Sequence, residues 1–242
     1  DPLDPADGAV QWDQVVECNG HYLPGRQTIY RCWIYRSRYG YMTHGPLDPV
    51  EAIARSCNIF FYTCGDRLGP RRLVAGLQRF GLARKTGVGL PGESPGILPR
   101  LDAPNPPGRE LNRSNAIFMG IGQGPVAATP IQVAAAHAAL ARGGYWTSPV
   151  LMDHTQPDQV GRDLRIPPRV IDNVLQGMDD SANATHGTGH HINLDGRREA
   201  LLTLDDVTVR AKTGTAQAPV LFDDANDNGR RDDGETIVRQ GY

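Results

Sequence analysis

Lysine is nearly absent from this chain. Its 242 residues include 25 lysines and arginines, and only Lys85 and Lys212 are lysines. The net charge is −2 and the sequence pI near 6.4. That balance gives no electrostatic case for binding nucleic acid. Long apolar runs are lacking too: none approaches the roughly 18 residues that cross a bilayer. Asp1-Pro2-Leu3-Asp4-Pro5 is polar and turn-rich, unlike a signal peptide. Cysteine is scarce, with Cys18, Cys32, Cys57 and Cys64 as the full set of four. These are too few for a disulfide scaffold in a chain this long, and they leave open one or two bridges, a metal site or buried thiols. What is present is 39% hydrophobic residues, enough for a substantial core in one large or two small domains.

Residues 1–46 are aromatic and turn-rich with little periodicity. Asp48-Pro49-Val50-Glu51 predicts a helix start with Asp48 as cap, proline in the first turn and Glu51 as reciprocal capping partner. The helical pattern reaches Ser56-Cys57-Asn58 and resumes in Ile59-Phe60-Phe61-Tyr62. Gly69-Pro70 should break it before a further helix with Leu73, Leu77 and Phe80 on one face, ending at Gly81. Residues 86–109, dense in glycine and proline, predict extended loop. Thr129-Pro130-Ile131-Gln132 is a second capped start, and Gly143-Gly144 closes that helix. A strand is expected from Tyr145 through Met152, a helix from Pro168, and strand character in 201–204 and 207–211. Helices come mostly before strands, which predicts an α+β fold with helices covering an antiparallel sheet.

Two short patterns carry chemistry. Lys212-Thr213-Gly214-Thr215 closes the strand-like run 206–211 and puts a cation and hydroxyls on one edge. Asp224, Asn226, Asn228, Gly229 and Glu235 fit the spacing of a calcium loop, with Asp232 as an added ligand. No flanking amphipathic helices support a true EF-hand, and an acidic, solvated hairpin tip is the alternative reading. Gly187-Thr188-Gly189, beside His190-His191, is a candidate for the rim of the cleft, with no chemistry assigned to it.

Taken in order, these residues resemble the transpeptidase domain of class B penicillin-binding proteins, especially the cell-elongation type. The resemblance rests on His44-Gly45, on Ala52 through Asn58 with Phe60-Phe61-Tyr62, and on Phe80-Gly81-Leu82. It continues in Thr86-Gly87-Val88-Gly89-Leu90-Pro91-Gly92-Glu93, Gly120-Ile121-Gly122-Gln123-Gly124, Thr129-Pro130-Ile131-Gln132 and Ala211 through Gln217. Lys85-Thr86-Gly87 repeats the Lys-Thr-Gly triplet, but it lies in a loop block and receives no catalytic role. The family's nucleophilic Ser-x-x-Lys is missing, since no serine here has a lysine three residues on. The resemblance therefore implies that residues 1–242 are a partial transpeptidase domain, of the penicillin-binding-protein/β-lactamase-like fold and truncated. The nucleophile helix and the final strand and helix would be absent, and 222–236 would be an acidic insert.

The implied reaction is serine acyl transfer that cross-links D-Ala-D-Ala stem peptides and is blocked by β-lactams. In it Ser56 would relay a proton to the leaving nitrogen. Asn58 would hold the substrate amide oxygen and orient the missing lysine, and Lys212 would supply positive potential. Thr213 and Thr215 would bind the terminal carboxylate, Gly214 would allow close approach, and the Thr215 N–H would serve an oxyanion. The parent protein is expected to be an enzyme, anchored in the cytoplasmic membrane with this domain in the periplasm and a membrane-embedded glycan polymerase as partner. The chain alone should not acylate. No cofactor is implied for catalysis. Zinc held by Cys18, Cys32, His44 and Cys57 is implied by elongation-type relatives; a Cys18–Cys32 disulfide and plain buried thiols stay open as alternatives. A non-catalytic stem-peptide or β-lactam-binding pseudoenzyme and a serine β-lactamase relative are the rival functions.

Overall fold

The N-terminal third folds around a strand pair and two consecutive helices. The structure, a computed structural model, describes residues 11, 13–152, 161–202, 204, 206–215, 221–222 and 237–239. β1 (Val16–Cys18) pairs antiparallel with β2 (Gly45–Leu47), and Cys18 lies opposite Gly45. α1 (Pro49–Ala54) follows, with the Asp48 carboxylate accepting from the Glu51 N–H at 2.9 Å. The Glu51 side chain does not close the expected capping box: it accepts from Arg55 Nε at 2.6 Å instead. A guanidinium one turn on offers a charged partner, which outcompetes a backbone N–H.

α2 (Asn58–Arg79) is two helical stretches joined at Gly69, whose φ of 73° and ψ of 166° leave the helical region just before Pro70. Its first half buries Ile59, Phe60 and Tyr62 against Cys18, Tyr30, Cys32, Leu47 and Ile117. Tyr30 meets Tyr62 edge to face at 5.8 Å. α3 (Arg113–Gly120) crosses α2 closely: a Cβ on Gly65 would lie 2.5 Å from the Ala116 carbonyl, and one on Gly120 2.3 Å from that of Phe61. Arg113 reaches both oxygens of Asp66 across the crossing, at 2.7 and 2.6 Å.

α4 (Pro130–Ala141) carries the full capping box read from sequence, Thr129 with Gln132. It packs on β3 (Tyr145–Trp146), which pairs with β4 (Arg162–Asp163). Ala139, Trp146 and Leu164 form a second apolar cluster with Phe80 and Ile166. The Arg162 guanidinium lies 4.2 Å above the Trp146 ring. The strand predicted through Met152 stops at Trp146. α5 (Pro168–Asn183) packs against α1.

The hairpin β5 (His191–Leu194) and β6 (Arg197–Ala200) precedes the predicted strand at 201–204, where the described residues form no ladder. Residues 206–211 form no strand, and no neighbouring strand pairs with them among the described residues. A strand exists only with a partner, and α5 takes that place: Ala211 N–H donates to the Met178 carbonyl at 3.0 Å. β7 (Leu221–Phe222) pairs with β8 (Ile237–Arg239). The described ladders are thus four antiparallel pairs, beside helices that hold most of the core.

Candidate functional site

α1 ends in a turn that presents one hydroxyl. The Ser56 N–H donates to the Ile53 carbonyl at 3.2 Å and the Cys57 N–H to that of Ala52 at 3.0 Å. This paired closure puts Ser56 where helices usually place glycine. Its φ of 53° is left-handed, at a cost of order 1–3 kcal/mol for a residue with a Cβ. Neighbours hold the turn in place. Trp33 Nε1 donates to the Arg55 carbonyl at 3.0 Å, and Asn58 Nδ2 to that of Arg31 at 3.0 Å.

Lys212 arrives on the irregular segment 206–215. Three links pin that segment to the end of α5: the Ala211–Met178 bond, Asn183 Nδ2 to the Val209 carbonyl at 3.0 Å, and an Arg210–Asp179 ion pair at 3.5 Å. The Lys212 ammonium then donates to Ser56 Oγ at 2.7 Å and to the Thr213 carbonyl at 2.9 Å. Burial lowers the Lys212 pKa, because the half-buried ammonium has lost part of its water. The Ser56 oxygen accepts from Lys212, so its own proton is free to be given elsewhere. Thr213, Gly214 and Thr215 lie exposed along the same edge.

The structure joins Ser56 and Lys212, 156 positions apart, through one hydrogen bond, with Thr213 beside them. Asn58 sits one helical step away, with its amide nitrogen engaged by the 31–33 loop. Gln123 Nε2 donates to the Thr215 carbonyl at 2.9 Å, and Thr188 Oγ1 lies 2.7 Å from Thr213 Oγ1. Sequence reasoning assigned neither Gln123 nor Thr188 a role. Gln123 stands inside a recognised block, whereas Thr188 stands in the Gly187-Thr188-Gly189 segment, singled out without a role. The Trp33 brace was legible only as an aromatic residue following Cys32.

Behind the Ser56 turn lies a buried donor cluster. Cys18, Cys32, His44 and Cys57 place their ligand atoms within 4.8 Å of one another. His44 Nδ1 is 3.6 Å from Cys18 Sγ and 3.4 Å from Cys32 Sγ. All four cysteines are free thiols, so the Cys18–Cys32 bridge is not formed. Hydrogen bonds from Cys32 and then Cys57 hold the Cys18 thiol far below its usual range. Hydrogen bonds with Cys18 and then Cys32 push the Cys57 thiol up, and burial adds to this. Burial pulls the His44 imidazole down, but Cys18 and then Cys32 outweigh it and raise it to about 9. The calcium-type pattern of Asp224, Asn226, Asn228, Asp232 and Glu235 lies outside the described residues.

A mixed helix-and-strand fold with a serine–lysine groove defines the class, and comparison with known proteins identifies it. The family described as "Penicillin binding protein transpeptidase domain" matches residues 6–231; the chain belongs to that family. Peptidoglycan D,D-transpeptidase MrdA of Salmonella typhimurium is 34% identical over 179 residues, 69% of this chain and 28% of the relative. The Acinetobacter baumannii protein of that name is 32% identical over 155 residues, 61% of this chain and 21% of the relative. The chain thus spans under a third of these relatives' length. The crystal structure of Pseudomonas aeruginosa PBP2 superposes with a TM-score of 0.65 at 32% identity, over 77% of this chain and 41% of that one. A complex of PBP2 with MreC from Helicobacter pylori shares the fold, with a TM-score of 0.66 at 23% identity over 90% of this chain and 39% of that one. These likenesses support the elongation type and the penicillin-binding-protein transpeptidase fold.

Proposed function

We propose that this groove is the carboxylate-binding and proton-relay side of a D,D-transpeptidase site that takes D-Ala-D-Ala stem peptides and β-lactams. The observation that carries the proposal is the 2.7 Å bond from the Lys212 ammonium to Ser56 Oγ. Lys212 and the Thr213 hydroxyl meet the terminal carboxylate, by charge and by hydrogen bond. Ser56 gives its proton to the departing amine nitrogen and recovers one from Lys212, whose depressed pKa makes that transfer easier. The Thr215 N–H is assigned to the acyl oxygen, where one donor of this kind is worth about 2.7–4 kcal/mol of barrier. The acyl-accepting nucleophile is a Ser-x-x-Lys serine, a pattern not found in the 242 residues. In the whole protein this domain works outside the cytoplasm, on a membrane anchor, beside a membrane-embedded glycan polymerase.

We further propose that Cys18, Cys32, His44 and Cys57 hold zinc. Zinc–sulfur bonds of about 2.3 Å set tetrahedral ligand atoms about 3.8 Å apart, and the His44–sulfur separations of 3.4 and 3.6 Å suit that spacing. Three thiols and an imidazole are its preferred donors, and a divalent cation would stabilise them in the deprotonated form that ligation needs. Its part is structural: Cys32 precedes the Trp33 that braces Arg55, and Cys57 follows Ser56. The site reading is tested with the chain on a resin that carries D-Ala-D-Ala through its N-terminal amide, with the C-terminus as free acid or as amide. Wild type is retained by the acid alone, and Lys212→Met passes through both columns. Retention of Lys212→Met on the acid resin, or of wild type on the amide, would refute it.

A further inference from the structure

The 187–189 loop lies between three elements of the groove. Gly187 N–H donates to the Ala184 carbonyl at 2.8 Å and Gly189 N–H to that of Ser181 at 2.9 Å. A Cβ on Gly187 would stand 2.2 Å from the Asp180 carbonyl, so only glycine lets the loop lie on the end of α5. This closeness carries Thr188 across to the end of α1. Its N–H donates to the Ala54 carbonyl at 3.1 Å, satisfying a helix-terminal acceptor two residues before Ser56. Its hydroxyl stands 3.4 Å from that same carbonyl but only 2.7 Å from Thr213 Oγ1.

Proton counting decides what this contact does. Each hydroxyl has one proton and two lone pairs, and O–H···O bonds are good at about 2.7 Å and poor beyond 3.0 Å. If Thr213 donated to Thr188, Thr213 would show only lone pairs to the groove and would repel an anion. The Thr188 proton would then be left with the distant Ala54 carbonyl, which already accepts the Thr188 N–H. The opposite polarity uses every group well: Thr188 O–H to Thr213 Oγ1, then Thr213 O–H outward. A carboxylate in the groove selects it, and consecutive hydrogen bonds of one sense strengthen each other.

We propose that Thr188 is a positioning residue for Thr213: its hydroxyl donates to Thr213 Oγ1 and so turns the Thr213 proton toward the terminal carboxylate of a D-Ala-D-Ala peptide. This rests on the groove being a carboxylate site, as proposed above. The test is NMR titration of the full chain with N-acetyl-D-Ala-D-Ala as free acid and as C-terminal amide. Thr188→Val keeps the shape and removes the donor. It should weaken binding of the acid about five- to tenfold, leave any residual amide binding unchanged, and melt close to wild type. Thr188→Ser should restore affinity, and Thr188→Val should cost nothing further in a Thr213→Val background, since the effect runs through that hydroxyl. Thr188→Ala gives the same comparison should the valine variant not fold. Unchanged acid binding in a folded Thr188→Val or Thr188→Ala variant, or equal loss of acid and amide, overturns the positioning role alone. A wild-type chain that does not prefer acid over amide overturns the carboxylate site and this role together.

Discussion

Ser56 is held in a conformation that suits another residue. Its φ of 53° and the paired bonds back to Ile53 and Ala52 make the glycine-type helix ending. Ser56→Gly should therefore stabilise the fold by about 1 kcal/mol, while removing the hydroxyl that accepts from Lys212. We predict a higher melting temperature together with loss of retention on the D-Ala-D-Ala resin. A destabilised Ser56→Gly would show that the turn is not strained. Strain at a chemical residue is the pattern expected where function and stability compete. At this scale the sequence singled out Ser56 and Lys212, which the structure brings into contact, and was silent about the residues that brace them. Ser56, Asn58 and Lys212 were legible from their motifs. The Asn58 bond to Arg31, the Trp33 brace and Thr188 were not, because each joins residues far apart in the chain or through a backbone carbonyl, which leaves no trace in composition or spacing.

Elements differ in how openly they announce themselves. α4 was readable to the residue, because Thr129, Pro130 and Gln132 each have one favourable use at a helix start. α3 was hidden behind a glycine- and proline-rich stretch, although Asn112, whose side chain accepts from the Asn115 N–H at 2.8 Å, was an available cap signal. The β5–β6 hairpin carried Asp195-Gly196 at its tip, both at positive φ, a standard hairpin pair that deserved more weight than the apolar run after it. The cysteine cluster follows no finger spacing because strand register assembles it: Cys18 opposite Gly45 sets His44 beside Cys18. If the cluster holds zinc, purified chain should contain one equivalent, and chelation or Cys57→Ser should lower the melting temperature by roughly 5–10 °C. Metal-free protein with an unchanged melt would dismiss it. The α2–α3 crossing makes a separate demand. Gly120→Ala would drive a methyl to 2.3 Å from the Phe61 carbonyl and should cost about 1–3 kcal/mol, measured by chemical denaturation. A neutral result would mean the helices can slide apart.

Across the whole molecule, the groove is a meeting of termini: the end of α1, the loop after α5 and the irregular segment that α5 supports. The α+β class and the family were legible because several motif blocks occur in a fixed order. The sheet was less so, since the segment leading to Lys212 reads as a strand and finds a helix beside it. Burial of the Lys212 ammonium has a consequence for the entire fold. Its pKa is lowered from 10.5, so between the folded value and 10.5 the unfolded chain binds the extra proton. Stability should therefore rise with pH through that window and level off above it. Titration of the Lys212 side chain by NMR, with and without N-acetyl-D-Ala-D-Ala, tests the shared groove most directly. We predict a Lys212 pKa below 10.5 in the free chain, a change in it on Ser56→Ala, and a rise when the peptide carboxylate binds, because an adjacent anion favours the ammonium. A Lys212 that titrates at 10.5 and responds to neither Ser56→Ala nor the peptide would contradict the groove.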